Sequence, residues 1–411
     1  MTHRLAMVLP RFPRLSETFI VSKFLGLLDR GWDVHVVCRD YDREELAHFP
    51  VLKDPSVQSR IHVSWPTSSN WRAAVSAPLA AVQLGRAIGR AGVQELVKHR
   101  STLGDSPLRT AYTHARLLEL RPALIHFEFG SSAPRAIAIK DVIGARAVVS
   151  FRGHDISFVG LDDPAYYGEV WERADAIHCL GEDLWRRAVA RGCAPDTLHR
   201  LISPAIDVDR FTDIAPREGG AVGTPERPLR LLSVARIYWT KGHEYSLAVV
   251  RALRARGLHV EMRLVGGGEA DEATGFARHQ LGVEREVSLL GPRSPQEIHE
   301  HLQWADAFVH LSVSEGFCNA VIEAQAAAVP VVCSDADGLP ANIVDGVTGY
   351  IVPRRNVELP VERLIELAHD GALRQRLGRA GRARAMSEFR IDDQVTAFDE
   401  LYREVLQRDA R

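Results

Sequence analysis

Lysine is scarce in this chain. Of 51 basic side chains, only Lys23, Lys53, Lys98, Lys140 and Lys241 are lysine, so a lysine inside a motif stands out. Cysteine is scarce as well: Cys38, Cys179, Cys193, Cys318 and Cys333 are odd in number and form no CxxC pair. That argues against a disulfide framework and suits free thiols in a reducing cytosol. No apolar run approaches the ~18 residues that cross a bilayer. The opening "MTHRLAMVLPRFPR" is broken by Pro10 and Pro13 before a signal-peptide core could form. A cytoplasmic protein is the expectation. A net charge of −2 leaves no basic field for nucleic acid, and no segment is of low complexity.

What is present is an ordinary globular composition. The 411 residues, 46% hydrophobic and 25% charged, are enough for two or three domains at ~150 residues each. "LAMVLP" (5–10) reads as a strand, "SETFIVSKFLGLLDRG" (16–31) as a helix between Ser16 as N-cap and Gly31 as stop, and "DVHVVC" (33–38) as a second strand. This β-α-β opening predicts a parallel, doubly wound α/β sheet. Residues 71–120 read as Ala-rich amphipathic helices. Strands return at 123–129, 145–151, 174–180 and 198–203.

The Gly/Pro-rich stretch "DIAPREGGAVGTPERP" (213–228) reads as a linker. The α/β pattern then restarts, with strands at 229–236, 260–266, 286–291, 307–312 and 330–335. "IDDQVTAFDELYREVLQ" (391–407) is a last amphipathic helix. The expected plan is an N-terminal domain at 1–212, a linker at 213–228, a second domain at 229–390 and a terminal helix at 391–411. Two such domains facing a cleft would hold a ligand outside the carboxyl ends of their strands.

Two clusters carry the chemistry. In "SVARIYWTKGHEYSL", Arg236 ends a strand and Lys241 follows a tight loop. Two cations there suit an anion, although a surface charge and a solvent-facing helix start are the plain alternatives. In "SEGFCNAVIEAQAAAVPVV" (314–332), Glu315 and Glu323 sit in otherwise apolar company. Gly316 permits an unusual turn, and a helix from about Asn319 would aim the amides of Phe317, Cys318 and Asn319 at a phosphate. A fully helical path would put the two acids ~12 Å apart at 1.5 Å per residue, roughly the span from a sugar to the ribose of a nucleotide diphosphate. Carboxylates accept well from paired hydroxyls. The alternatives are a capping Glu315 and a surface Glu323, although the neighbours of Glu323 leave almost no solvent face.

Arg236 with Lys241, "EGF" (315–317) with Glu323 and Ala324, "PVV" (330–332) and "DGVTGYIVP" (345–353) together resemble the retaining glycosyltransferases of family four, which have the GT-B fold. "FPRLSETFI" (12–20) and "SPAIDVDRF" (203–211) resemble a bacterial subgroup acting in exopolysaccharide assembly. The resemblance implies transfer of a hexose-type sugar from a nucleotide diphosphate sugar to an acceptor hydroxyl, lipid-linked or small. Arg236 and Lys241 would bind the diphosphate. Glu315 would bind the sugar beside the amides of Gly316 to Asn319, and Glu323 the ribose. Gly266, Gly291 and Arg293 would lie along the nucleotide. The last helix would return to the first domain.

The chain departs from the family pattern in places. A His-Gly-x-Asp element reads "FRGHD", with Arg152 at the His position and His154 beside Asp155. Glu128 stands where a second His is usual, Ala328 replaces a Gly and Ala341 a Glu. Arg152, His154 and Asp155 are donor-hydroxyl or acceptor candidates, or else a strand-end turn holding itself together. His126, Ser16, Glu17 and Thr18 are acceptor-side candidates; His126 reads equally as a core histidine and Ser16 as an N-cap. Three Asp-x-Asp spacings, Asp40/Asp42, Asp207/Asp209 and Asp335/Asp337, lack a completing ligand, and no metal or cofactor is expected. Trp71, Arg86, Arg90 and Arg100 suit a helix layer over the sheet, with peripheral membrane contact as the alternative. A nucleotide-sugar epimerase and a non-catalytic nucleotide-sugar binder are the other readings of the whole chain. Oligomeric state is not legible.

Overall fold

The computed structural model describes residues 3–14, 17–64, 82, 84–90, 92–94, 96–98, 111, 113–134, 136–215 and 219–408. The chain divides into two compact units. The first comprises residues 1–202 and 394–411, and the second residues 203–393.

The first unit is built on a seven-stranded parallel sheet of order β3-β2-β1-β4-β5-β6-β7. Its strands are β1 (Arg4–Phe12), β2 (Asp33–Tyr41), β3 (Ile61–Val63), β4 (Leu124–Phe127), β5 (Arg146–Phe151), β6 (Ala176–Cys179) and β7 (His199–Leu201). The order reverses direction at β1, as a doubly wound sheet does. Interior strands buried on both faces need continuous apolar runs, and β4 and β6 are buried at every position. Edge strand β3 has only three residues and an exposed end, too short to show in an apolar-run reading. The helix Thr18–Asp29 starts after Glu17, which makes no side-chain cap; Ser16, the expected cap, lies outside the described residues, as do Trp71 and Arg100. Arg86 and Arg90 are exposed, while Leu84 and Ile88, one helical turn apart, are buried.

From Gln394 onward, the helix Ile391–Gln407 groups with this first unit. Phe398, Leu401, Tyr402 and Val405 are buried at spacings of three and four, one apolar face of a helix. The Trp32 indole donates to Asp399 at 2.6 Å.

The second unit has a six-stranded parallel sheet of order β10-β9-β8-β11-β12-β13. The strands are β8 (Leu229–Val234), β9 (Val260–Val265), β10 (Val287–Leu289), β11 (Ala307–His310), β12 (Val331–Ser334) and β13 (Gly349–Val352). The unit begins at Ser203, ahead of the expected linker, because Ile206, Val208, Phe211 and Ile214 pack into its core. The stretch read as a linker lies on this unit as well. Val222 is buried and donates its amide to Ala368 O at 2.9 Å. Gly and Pro marked a chain running closely over helices, not a free tether. Among the described residues, no helix is long and apolar enough to cross a membrane.

Candidate active site

In the second unit, three loops leave the carboxyl ends of β8, β9 and β11 in close mutual contact. A Cβ at Gly266 would sit 1.8 Å from the Ala235 carbonyl oxygen, and one at Gly268 2.4 Å from that of Ile237. A Cβ at Gly242, whose φ is +61°, would meet the Leu311 carbonyl oxygen at 2.1 Å. Only glycine lets these backbones approach so closely. Gly266 also donates to Gly291 O at 3.0 Å, which ties the β9 and β10 loops together.

Within this frame the Lys241 ammonium forms an ion pair with Glu315 Oε2. His310, the last residue of β11 and almost fully buried, places Nε2 3.1 Å from the same oxygen. The Ser312 hydroxyl lies 2.9 Å from that nitrogen. Burial alone would raise the Glu315 carboxyl, but the Lys241 ammonium and His310 outweigh it and hold it down at about 2. Burial alone would lower His310; the Cys318 sulfur and the Glu315 carboxylate outweigh it and lift the imidazole to about 9. The Glu315 carboxylate thus lies between the Lys241 ammonium and the His310 imidazole.

Helix Asn319–Ala326 begins where the sequence predicts, with Cys318 as N-cap. Glu315 lies before it on extended chain, so the two acids are not spaced along one helix. The amides of Gly316, Phe317 and Asn319 find no acceptor among the described residues. Cys318 differs: its amide donates to Asn342 Oδ1 at 3.3 Å, and Asn342 Nδ2 returns a bond to Cys318 O at 2.9 Å. The cradle therefore offers three of its four expected donors. Asn342, fully buried, is a site-building residue that the sequence reading missed; its short polar side chain inside "GLPANIVDG" was the available signal. His310, missed too, stands out as a histidine ending an apolar strand.

Arg236 is exposed, its guanidinium 5.9 Å from the Tyr238 ring. Its carbonyl oxygen lies 3.1 Å from His243 Nε2. Glu323 is partly buried and accepts no hydrogen bond from the described residues. Burial pushes its carboxyl up to about 7, against a weaker pull from Arg210. Arg293 is exposed and ion-paired to Glu297 at 3.1 Å. All three Asp-x-Asp spacings are engaged by arginine: Arg39 lies 3.3 Å from Asp40 and Arg11 3.7 Å from Asp42. Arg354 bridges Asp335 and Asp337 at 3.3 and 3.1 Å, and Arg390 holds Asp209 at 3.0 Å. Asp42 accepts the Glu44 and Glu45 amides.

In the first unit the expected site residues divide differently. Asp155, 3% exposed, accepts from the backbone amides of Gly130, Arg152, Gly153 and Ile156 at 2.9–3.1 Å. Its carboxylate is thus engaged by the turn it holds, as the strand-end-turn reading of the sequence has it. His126 is fully buried, its Nε2 2.6 Å from Ser150 Oγ and its Nδ1 2.5 Å from the Tyr402 hydroxyl. It is a core histidine and offers nothing to an acceptor. His154 is exposed and stacks on Phe158 at 5.5 Å. Glu17 pairs with Arg14 at 3.6 Å, and Thr18 opens its helix half-buried.

Arg152 and Glu128, two separate departures from the family pattern, turn out to be partners. The Arg152 guanidinium donates to the Glu128 carboxylate at 2.6 Å and to its backbone carbonyl at 2.7 Å. The buried Lys23 ammonium pairs with the other carboxylate oxygen.

Comparison with known proteins agrees with this organisation. Residues 217–384 match the family model described as "Glycosyl transferases group 1". The amylovoran biosynthesis glycosyltransferase AmsK of Erwinia amylovora is 23% identical over 97% of this chain and 98% of its own. The putative colanic acid biosynthesis glycosyltransferase WcaL of Salmonella typhimurium is 24% identical over 89% of this chain and 90% of its own. Among solved structures, Anabaena Alr3699/HepE in complex with UDP and glucose superposes with a TM-score of 0.69. It is 15% identical, over 98% of this chain and all of the other. The chain thus has the two-domain GT-B fold and is similar along its length to bacterial glycosyltransferases, with residues 217–384 of its second unit matching the glycosyl transferases of group 1.

Proposed function

We propose that this protein is a retaining, metal-independent hexosyltransferase. It moves a sugar from a nucleotide diphosphate donor to an acceptor hydroxyl, lipid-linked or small, in bacterial polysaccharide assembly. The observation that carries this reading is the arrangement around Glu315. A deeply ionised carboxylate is flanked by Lys241 and His310, beside amides with no protein acceptor. A sugar can give its hydroxyls to Glu315 while its diphosphate takes the amides and the ammonium. Exposed Arg236 supplies a second cation. Glu323, without a partner, suits the ribose hydroxyls. The names of the relatives support polysaccharide assembly, and the UDP and glucose named for the Anabaena structure support the donor class.

Breaking the sugar–phosphate bond places charge on the departing diphosphate, and fixed cations can take the part of a metal. Two charge-assisted hydrogen bonds at ~1.5–3 kcal/mol each and ~1 kcal/mol from a helix start total roughly 4–7 kcal/mol. At 1.36 kcal/mol per decade this is about 10³–10⁵ in rate when expressed in the transition state. Lys241→Ala should therefore lower kcat/KM by ~10–150-fold with the fold intact by circular dichroism, and EDTA should leave the wild-type rate unchanged. Wild-type turnover by Lys241→Ala refutes the assignment of the cation; strict dependence on added metal refutes the metal-free mechanism.

A further inference from the structure

We propose that His310, Glu315 and Cys318 form a binding site for a thiophilic divalent cation of the zinc class, and that a cation bound there closes the donor pocket. The imidazole, the carboxylate and the thiol each offer one atom, and the three atoms lie within 4.8 Å of one another. No other such group occurs among the described residues. The Nε2-to-Oε2 separation is already 3.1 Å.

One nitrogen, one oxygen and one sulfur make a ligand set that zinc accepts, at metal–ligand distances of about 2.0–2.3 Å, once the His310 imidazole and the Cys318 thiol have each released a proton to solvent. Tetrahedral geometry at those lengths separates ligand atoms by roughly 3.3–3.8 Å. The present separations, all within 4.8 Å, exceed that range by about an ångström at most. Three protein ligands leave a fourth position to water.

The backbones bearing these ligands are pinned. His310 is paired in register with Cys333 of β12. Glu315 O accepts from the Gly338 amide at 2.9 Å. Cys318 is held at both its amide and its carbonyl by Asn342. Cys318 and His310 are 7% and 1% exposed, so their entropy is largely lost already and a cation gains from preorganisation. The competitor is Lys241, whose flexible side chain shares Glu315 Oε2. A dication bound there would repel the ammonium and drive it off that oxygen. The blocking effect rests on the donor-binding role given to Glu315 above; binding of the cation does not.

Titration of the full-length protein with cobalt(II) tests the site. The expected result is a thiolate-to-cobalt charge-transfer absorption saturating at one equivalent and bleached by zinc. It should be lost in Cys318→Ser and weakened at least tenfold in His310→Gln. A folded wild type with no such band, or a band that persists in Cys318→Ser, overturns the proposal. Wild-type protein alone gives a second reading should either variant misfold. Zinc should slow alkylation of Cys318 by iodoacetamide, followed by peptide mass, while leaving Cys193 unaffected. Equal rates at Cys318 with and without zinc overturn the proposal. In a transfer assay, zinc should inhibit and EDTA should restore the rate. An active enzyme with no cobalt band sinks the metal site alone, whereas a cobalt band on a protein inactive with every nucleotide sugar sinks the transferase reading alone.

Discussion

At the scale of single residues, Arg236, Lys241, Glu315 and Glu323 stand out in the sequence as candidates because each pair falls within one short stretch. Asn342 does not, because it locks Cys318 from 24 positions away; His310 does not, because a histidine closing an apolar strand reads as core although Glu315 is its near neighbour in sequence. Asp155 and His126 stayed open between a site and a structural reading for a related reason. A polar residue at a strand end looks the same in sequence whether it faces solvent or saturates a buried turn. Glu323 carries a prediction of its own. Its carboxyl is raised to about 7, so between about 4.5 and 7 the unfolded chain releases this proton while the folded protein keeps it. The folded state then binds more protons, and stability must fall as pH rises through that window. Glu323→Gln removes the effect. In urea titrations from pH 4 to 8, the wild type should lose stability relative to Glu323→Gln across that interval and run parallel above it. A difference that does not change with pH would refute the burial assigned to this carboxyl. Nucleotide added at pH 8 should favour the wild type, whose ionised carboxylate accepts ribose hydroxyls better than an amide.

At the scale of elements, the helices and interior strands follow the apolar patterns closely, whereas the interactions between them do not. The first unit shows why. Lys23 comes from helix Thr18–Asp29, His126 and Glu128 from β4 and its end, Ser150 and Arg152 from β5 and its end, and His178 from β6. Tyr402 comes from the last helix. Ser150 Oγ bridges His126 and His178 at 2.6 and 2.7 Å, and Lys23 lies 4.1 Å from the centre of the Phe398 ring. Burial lowers the Lys23 ammonium to about 8 against the pull of Glu128. Five elements thus share one polar network with a single carboxylate, Glu128, between two cations. Removing one partner of a buried pair leaves uncompensated charge and typically costs ~3–5 kcal/mol. Glu128→Gln should cost about that much, measured as a lower denaturation midpoint at unchanged slope. The double variant Glu128→Gln with Lys23→Met should recover part of the loss, since it removes one of the two stranded cations. A near-neutral Glu128→Gln would show that the cations find water. The pairing of Arg152 with Glu128 also links the two departures from the pattern of the family the chain resembles: each charge neutralises the other.

At the scale of the whole molecule, the α/β class and the restart of the pattern were visible from alternating strands and helices, but the path of the chain was misread at its boundaries. Residues 203–228 were assigned partly to the first domain and partly to a linker, yet Ile206, Val208, Phe211, Ile214 and Val222 are core residues of the second unit. Composition reports turns, and turns pack onto a surface as readily as they leave it. The second unit is therefore one continuous segment, whereas the first is assembled from two pieces of chain. This asymmetry yields a prediction. The face of residues 394–408 buries Phe398, Leu401, Tyr402 and Val405. Truncating one core Phe alone costs ~3–5 kcal/mol, a large share of the ~5–15 kcal/mol that holds a domain folded. A chain ending at Asp393 should lose hydrogen-exchange protection throughout β1, β4 and β5. Its second unit should keep protection in β8 and β11, because none of that core is removed. Nucleotide diphosphate added to the truncated chain should still protect residues 315–326, where the donor pocket is proposed. Loss of protection in both units at once would mean that the second unit depends on the first for its fold, and the contiguous segment 203–393 would then not be the independent folding unit its packing implies.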